Sequence, residues 1–257
     1  MNQKITVTII TYNEEAFIKA CIQSAWRVAD EVIVVDSLST DKTQEIAETM
    51  GARVFICPFE GYGPQKEKAA QYATYDWILN IDADERLDEA MVNEIKQLDF
   101  NAPFDAYAFP RKNHIGLRWQ KAWYPDYVIR LYNKQRCRFS PAKVHESLIT
   151  KNYKKIKGDI IHYSFKDLSD CIVRADKYSK IDAKLMVEKG RKIKGWDPVF
   201  HAVTSFLKFF ILKKGFAYGL DGLNASLLGA LRSYLKYAHA IEMAQAVSAS
   251  PQDNRPI

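Results

Sequence analysis

Short apolar runs alternate with stretches of helical period through the first 85 residues, the form taken by a mostly parallel sheet covered by helices. Ile5 to Ile10 reads as a first strand. Asn13 is placed to cap a helix in which Phe17, Ile18, Cys21, Ile22 and Ala25 recur at helical spacing. Glu31 to Asp36 follows as a second, buried strand. Thr40 or Asp41 caps the next helix, Gly51 ends it, and Arg53 to Cys57 is a third strand. After a loop from Pro58 to Pro64 come a helix over Gln65 to Tyr75 and a strand over Asp76 to Asp82 that ends on acidic residues.

Beyond a short helix at Glu89 to Leu98 the pattern turns to aromatic-rich strands. They fall at Ala106 to Arg111, Tyr127 to Tyr132, Arg136 to Phe139, Val144 to Ile149 and Ile160 to Tyr163, a mixed-sheet extension of the same domain. From Asp167 the pattern is helical, through Ala183 to Lys189, Pro198 to Lys213 and Leu220 to Gln245, before a loose tail from Val247 to Ile257. The division this predicts is an α/β domain over 1–165, a basic amphipathic helical region over 166–246 and a flexible tail over 247–257.

The chain has 257 residues, 47% hydrophobic and 26% charged, which excludes a disordered or fibrous protein. Ile5 to Ile10 is too short for the apolar core of an export signal, and Cys21, Cys57, Cys137 and Cys171 stand singly, without the spacing of a zinc site. Both features predict reduced thiols in the cytoplasm. Charge is uneven: residues 1–150 carry 18 Lys and Arg against 21 Asp and Glu, the remainder 19 against 10. The basic C-terminal part suits either an anionic partner or a solvated lysine-rich face. Its basic residues alternate with acids and no nucleic-acid module is present, so nucleic acid is not the expected partner.

No stretch reaches the roughly 20 apolar residues of a bilayer span. Phe206, Leu207, Phe209, Phe210, Ile211 and Leu212, flanked by Lys208, Lys213 and Lys214, either lie in a headgroup region or are buried in the fold or a dimer.

In an open parallel sheet, ligands bind beyond the carboxyl ends of the strands. Three such ends are polar here: Thr11-Tyr12-Asn13-Glu14, Asp36-Ser37 and Asp82-Ala83-Asp84. No glycine precedes Gly51, so neither a dinucleotide fingerprint nor a P-loop is available to hold phosphate. A divalent cation does that work in an acidic crevice, and Asp82 and Asp84, two residues apart at a strand end, offer it oxygen ligands. Exposed turns also produce Asp-x-Asp, so the weight rests on its place at the end of an apolar strand.

Thr8-Ile9-Ile10-Thr11-Tyr12-Asn13-Glu14-Glu15, then Val34-Val35-Asp36-Ser37 with Ser39, Asp41 and Thr43, then Asp82-Ala83-Asp84-Glu85, together resemble the family 2 glycosyltransferases of the GT-A fold, over residues 4–165. Gln65-Lys66, Trp77, Tyr124-Pro125-Asp126, Arg130-Leu131-Tyr132, Val144-His145-Glu146 and His162-Tyr163-Ser164 are similar to bacterial lipopolysaccharide core glucosyltransferases that act on heptose. The resemblance implies a GT-A fold, Rossmann-like with a mixed-sheet extension, followed by C-terminal helices. It implies inverting transfer of glucose from UDP-glucose to an inner-core heptose of lipopolysaccharide or lipooligosaccharide, with polyprenyl phosphate or another cell-envelope glycan as the alternative acceptor.

The donor site implied by the resemblance comprises Thr11, Tyr12, Glu14, Ser37, Lys66, Asp82 and Ala83, with Asp36 on the uracil edge. Mn²⁺ or Mg²⁺ would be held by Asp82, Asp84 and His162. Glu146 is the expected base, ahead of Asp126. Arg111, Asn113, Trp123, Tyr124, Asp126 and Arg130 are the expected acceptor residues, because aromatic faces stack on sugar rings and arginines pair with phosphates. Plainer roles stand beside these: helix capping by Asn13 and Glu14, a solvated Lys66, a hydrogen-bonded His162, a salt-bridging Glu146 and core packing for the tryptophans. A lipid-linked acceptor places the enzyme peripherally on the cytoplasmic face of the inner membrane. Lys151 to Lys157, Lys189, Arg191, Lys192 and Lys194 would then meet phosphorylated or anionic lipid.

Overall fold

The computed structural model describes residues 3–140 and 147–249. The chain forms two compact units, one of residues up to Lys112 with Tyr124–Tyr163, the other of Asn113–Trp123 with the residues from Ser164 onward.

In the first unit β1 (Ile5–Thr11), α1 (Ile18–Ala25), β2 (Glu31–Asp36), α2 (Thr43–Thr49), β3 (Arg53–Ile56), α3 (Tyr62–Tyr72) and β4 (Trp77–Asp82) alternate as the apolar pattern predicts. The strands lie side by side in the order β3-β2-β1-β4, all parallel. Every residue of β1 is buried, which suits a strand covered on both faces. Successive side chains point to opposite faces. Val7, Ile9, Val34, Leu79 and Ile81 therefore join Ile18 and Ile22 of α1 in one core, while Ile10, Ile33, Val35 and Ile78 join Ala69 and Ala70 of α3 in another.

Past β4 the chain turns into β5 (Glu85–Leu87), α4 (Glu89–Lys96), β6 (Ala106–Ile115), β7 (Arg118–Trp119), β8 (Asp126–Asn133), β9 (Arg138–Phe139), β10 (Leu148–Ile149), β11 (Tyr153–Lys155) and β12 (Ile160–Phe165). The sheet continues from β4 through β8, β6 and β12 to β5, with β8 antiparallel to β4 and to β6. β5, β7 and β11 have two or three residues each, too few for a period to register.

The second unit is mainly helical, α5 (Leu168–Glu188), α6 (Asp197–Leu207) and α7 (Gly219–Ala249), and also takes in β7 and the end of β6. The helix predicted over Pro198 to Lys213 is interrupted, because residues Lys208–Leu212 form a π turn. Asp167 caps α5, its carboxylate accepting from the Asp170 amide at 2.8 Å.

Two local expectations are corrected. Asn13 does not cap α1: its φ is +54°, and Phe17 is the residue that enters the helix. α3 starts at Tyr62, ahead of the predicted Gln65, because Pro64 falls in the first turn, where its missing N–H would have no helical acceptor.

Candidate functional site

β1 lies between β2 and β4, with Thr11 opposite Asp36 and Ile10 opposite Asp82, so the three polar strand ends are adjacent. The loops after β1 and β2 are laced together. Asn13 accepts from the Thr40 amide through Oδ1 at 2.8 Å and donates its own amide to Ser39 Oγ at 2.8 Å, a use of the left-handed conformation that asparagine tolerates. The Glu14 amide donates to Thr43 Oγ1 at 2.8 Å, and that of Glu15 to Asp41 Oδ2 at 3.1 Å. Asp36 is fully buried; its carboxylate accepts from the Ser39 amide, from Ser39 Oγ at 2.5 Å and from Gln44 Nε2 at 2.6 Å. Asp36 thus organises the loop that follows it.

Tyr12 is exposed on this rim. Thr11 and Ser37 are buried, and Ser37 Oγ accepts from Gln65 Nε2 at 3.2 Å. Thr11 Oγ1 and Gln65 Oε1 are buried without a hydrogen-bond partner among the described residues. Such atoms cost about 1–3 kcal/mol each unless water or a ligand completes them.

Beside these loops runs a chain of alternating charges. Lys66 Nζ, on α3 and buried, lies 3.4 Å from Asp82 Oδ1. Arg130 Nη2, from β8, donates to Asp82 Oδ2 at 2.6 Å and to Glu85 Oε1 at 2.5 Å. Arg111 of β6 lies 3.4 Å from the same Glu85 oxygen and donates to Asp126 Oδ2 through Nε and Nη2, at 3.0 and 2.7 Å. Burial opposes the charge on Asp82, but Arg130 and then Lys66 outweigh it and hold the carboxyl well below the usual carboxylate range. Burial likewise opposes the charge of Arg130, and Asp82 and Glu85 reverse that, raising its pKa. Arg111, Asp126 and Arg130, assigned from sequence to an acceptor, here meet the acidic motif. Glu85, fully buried at the centre of the chain, had no role in the sequence reading.

Of the three residues expected to hold a metal, Asp84 and His162 face each other, and His162 also acts electrostatically on Asp82. Both Asp82 oxygens face cations, while Asp84 Oδ2 lies 3.4 Å from His162 Nε2. The Tyr163 amide donates to the Asp84 carbonyl at 3.0 Å, which fixes β12 beside the turn. Among the described residues no group of three or more His, Cys, Asp and Glu side chains is gathered for a metal ion. The pair Asp84 and His162 fits a divalent cation that draws its other ligands from a diphosphate: one carboxylate oxygen and one imidazole nitrogen, both partly open to solvent.

Ala83 is buried and its carbonyl accepts from Arg86 Nη1 at 2.8 Å; Arg86 Nη2 donates to the Phe17 carbonyl at 2.5 Å and so ties the motif to the entry of α1. Arg86 was missed from sequence, although it directly follows the motif. Tyr124 is half-exposed, and burial together with a hydrogen bond to Asp159 raises its pKa. Asn113 and Trp123 belong to the second unit, where Asn113 Oδ1 accepts from Ser164 Oγ at 3.2 Å and Trp123 packs edge-on against Phe165. Glu146, with Val144 and His145, lies outside the described residues. The four cysteines are free and buried.

Residues 6–165 match the family model described as Glycosyl transferase family 2. The chain is 35% identical over 256 residues to an uncharacterized glycosyltransferase of Rickettsia typhi, covering 94% of this chain and 88% of that one. It is 29% identical over 260 residues to the lipopolysaccharide core biosynthesis glycosyltransferase LpsC of Rhizobium meliloti, covering 96% and 95%. Among solved structures, the glucosyl-3-phosphoglycerate synthase of Mycobacterium tuberculosis, in complex with Mn²⁺, UDP-glucose and phosphoglyceric acid, is 26% identical with a TM-score of 0.37. That match covers 43% of this chain and 44% of that one. With its family match spanning the sheet and the acidic strand end, the chain belongs to glycosyl transferase family 2 and is a glycosyltransferase of the GT-A fold.

Proposed function

We propose that this glycosyltransferase moves glucose from UDP-glucose to a heptose of the lipopolysaccharide inner core, inverting the anomeric carbon and using Mn²⁺ or Mg²⁺. The observation that carries the donor half is the Asp84–His162 pair beside an Asp82 already neutralised by Lys66 and Arg130. That division leaves one carboxylate to order the site and another to hold the cation.

Thr11, Tyr12, Glu14, Asp36 and Ser37 bound the nucleoside pocket, where the unpartnered Thr11 hydroxyl is available to the ligand. Asp36 acts by holding the loop that carries Ser37 and Ser39 in place. Ala83 lets the donor lie close to the backbone of the motif. Asp84 and His162 would hold a divalent cation, which would supply positive charge to the departing diphosphate. Lys66 and Arg130 hold Asp82 as an anion, so the donor meets a fixed arrangement of charge that needs no reorganisation during transfer. Glu146 is the proposed base: it takes the proton of the acceptor hydroxyl as that oxygen bonds to the anomeric carbon and the bond to the diphosphate breaks, releasing UDP.

For the acceptor, the support is the near full-length likeness to LpsC, a lipopolysaccharide core biosynthesis glycosyltransferase. Tyr124, which is half-exposed, and Arg111 are the first-unit residues we place against it. No helix among the described residues is long and apolar enough to cross a membrane. Val199, Phe200, Val203 and Leu207 nevertheless leave one face of α6 apolar and exposed, with Lys192, Lys194, Lys213 and Lys214 close by in sequence. This face is proposed to rest in the headgroup layer on the cytoplasmic side of the inner membrane.

The test is transfer of labelled glucose from UDP-glucose to purified inner core that lacks the residue normally added to heptose. Product on that acceptor, with none on polyprenyl phosphate, supports the assignment. Product on polyprenyl phosphate alone replaces the acceptor and leaves the donor reading in place.

A further inference from the structure

The second unit carries a cavity of about 570 Å³, open to solvent on one side, between α5, the π turn after α6, and α7. That is the size range of small-molecule sites. Four cations line it, Arg174, Lys208, Arg232 and Lys236, against a single carboxylate, Asp182. Arg232 donates to Asp182 at 3.2 Å and Arg174 to Asp170 at 3.0 Å. Lys208 and Lys236 have no carboxylate partner among the described residues.

Four aromatic side chains stand among the small and aliphatic residues of the rest of the wall. Trp123, Phe165, Tyr178 and Phe209 contribute ring surface, and two of these rings already carry guanidinium groups: Arg174 lies over Phe165 at 5.5 Å and Arg232 over Tyr178 at 6.0 Å. Those two cations are held in place by a carboxylate and a ring each. Lys236 lies over the Tyr237 ring at 5.0 Å but, like Lys208, has no carboxylate partner among the described residues.

The backbone is shaped around this wall. At Lys208 the helix widens, with the Lys213 amide donating to the Lys208 carbonyl at 2.9 Å, and such π turns concentrate at functional sites. The turn sets Lys208 and Phe209 next to each other in the lining. Across from it, a Cβ at Gly229 of α7 would stand 2.9 Å from the Phe209 ring, so the glycine lets that ring seat against the helix.

Positive charge beside apolar surface favours a ligand that supplies both an anion and a hydrophobic body. An inorganic anion would satisfy the lysines and leave the rings facing water; a neutral lipid would do the reverse. We propose that this cavity binds a lipid phosphate monoester, its phosphate held by Lys208 and Lys236 and its hydrocarbon part lying against Trp123 and Phe209. The site is separate in sequence and in unit from Asp82, Asp84 and their partners, and it stands whether or not the acceptor proposed above is correct.

Calorimetry of the full chain tests it with three probes: dihexanoyl phosphatidic acid below its micelle concentration, dihexanoyl phosphatidylcholine and inorganic phosphate. Saturable binding of the phosphatidic acid is expected. It should weaken about tenfold in Lys208→Ala and again in Lys236→Ala, the loss of one charge-assisted hydrogen bond each. Lys208→Glu, at an exposed position where folding is undisturbed, should abolish it; circular dichroism checks that the fold is kept. No binding of phosphatidic acid, or equal binding by all three variants, overturns the proposal. Inorganic phosphate binding as tightly as phosphatidic acid removes the hydrocarbon half, and phosphatidylcholine binding as tightly removes the phosphate half; either result contradicts the site as proposed.

Discussion

Arg130 and Asp82 are joined across adjacent antiparallel strands, Nη2 to Oδ2 at 2.6 Å. The contact links the parallel half of the sheet, where the three polar strand ends meet, to its antiparallel half. The same Nη2 also meets the buried Glu85, so one guanidinium serves two carboxylates at the turn that carries the acidic motif.

Removing one partner of a buried ion pair costs about 3–5 kcal/mol, because the other charge stays buried and uncompensated. Arg130→Met is therefore expected to lower unfolding free energy by about that amount in urea titration. Arg130→Met combined with Glu85→Leu should recover much of the loss, since it removes one cation and one anion and leaves Lys66 to Asp82 and Asp126 to Arg111. Failure of the double variant to recover would locate the cost in packing.

Turnover depends on the proposed base. Glu146→Gln is expected to reduce kcat about 10²- to 10⁴-fold, the range of a positioned general base, with the affinity for UDP-glucose unchanged. Steady-state kinetics with the heptose acceptor, alongside donor binding, checks both halves. Near-normal kcat in this variant would transfer the role to another residue, Asp126 first.

Gly158 meets the first turn of α4. Its φ is +89°, and a Cβ there would lie 2.3 Å from the Met91 amide nitrogen. The neighbouring Asp159 amide donates to the Asp88 carboxylate that caps the same helix, at 3.0 Å. Gly158→Ala adds a strained backbone to a clash with main chain, which together cost about 2–4 kcal/mol. Thermal unfolding of the variant should show a correspondingly lower Tm.

Glu31 gives the fold an acid-sensitive joint. Its carboxylate accepts from Thr6 at 2.7 Å, from the Thr74 amide at 2.8 Å and from Thr74 Oγ1 at 2.8 Å, and it pairs with Arg53. Burial raises its pKa, and these hydrogen bonds more than reverse that, leaving it below the ordinary value of 4.5. A depressed carboxyl contributes stability that is present above the ordinary value and is lost as pH falls through the folded-state value. Glu31→Gln should thus be less stable than the native chain at neutral pH, with the difference shrinking below pH 4.5. A difference independent of pH would assign the effect to the amide's poorer fit.

The alternating first half of the fold was legible because β1, β2 and β4 are short, apolar and closed by polar residues, and those polar ends are what the sheet brings together. Loop chemistry was less legible. Asn13 has the composition of a helix cap, but its partners, Ser39 and Thr40, are some 26 residues away in sequence and come near only once β1 and β2 pair. The ion-pair chain was hidden for the same reason, since Asp82, Arg130 and Asp126 meet through strand pairing, and Lys66 joins them through the packing of α3 on the sheet, neither of which a local pattern encodes. Arg174 and Arg232 share a cavity because α5 packs on α7, and each alone reads as one more basic residue on a helix.

Calorimetric titration of UDP-glucose into the enzyme, with and without Mn²⁺, tests the central claim most directly. Binding that strengthens at least tenfold with Mn²⁺, and loses that increment in Asp84→Ala and in His162→Ala while both variants stay folded, is the predicted result. Equal affinity with Mn²⁺ and with chelator, or a metal-dependent increment that survives both substitutions, would contradict it.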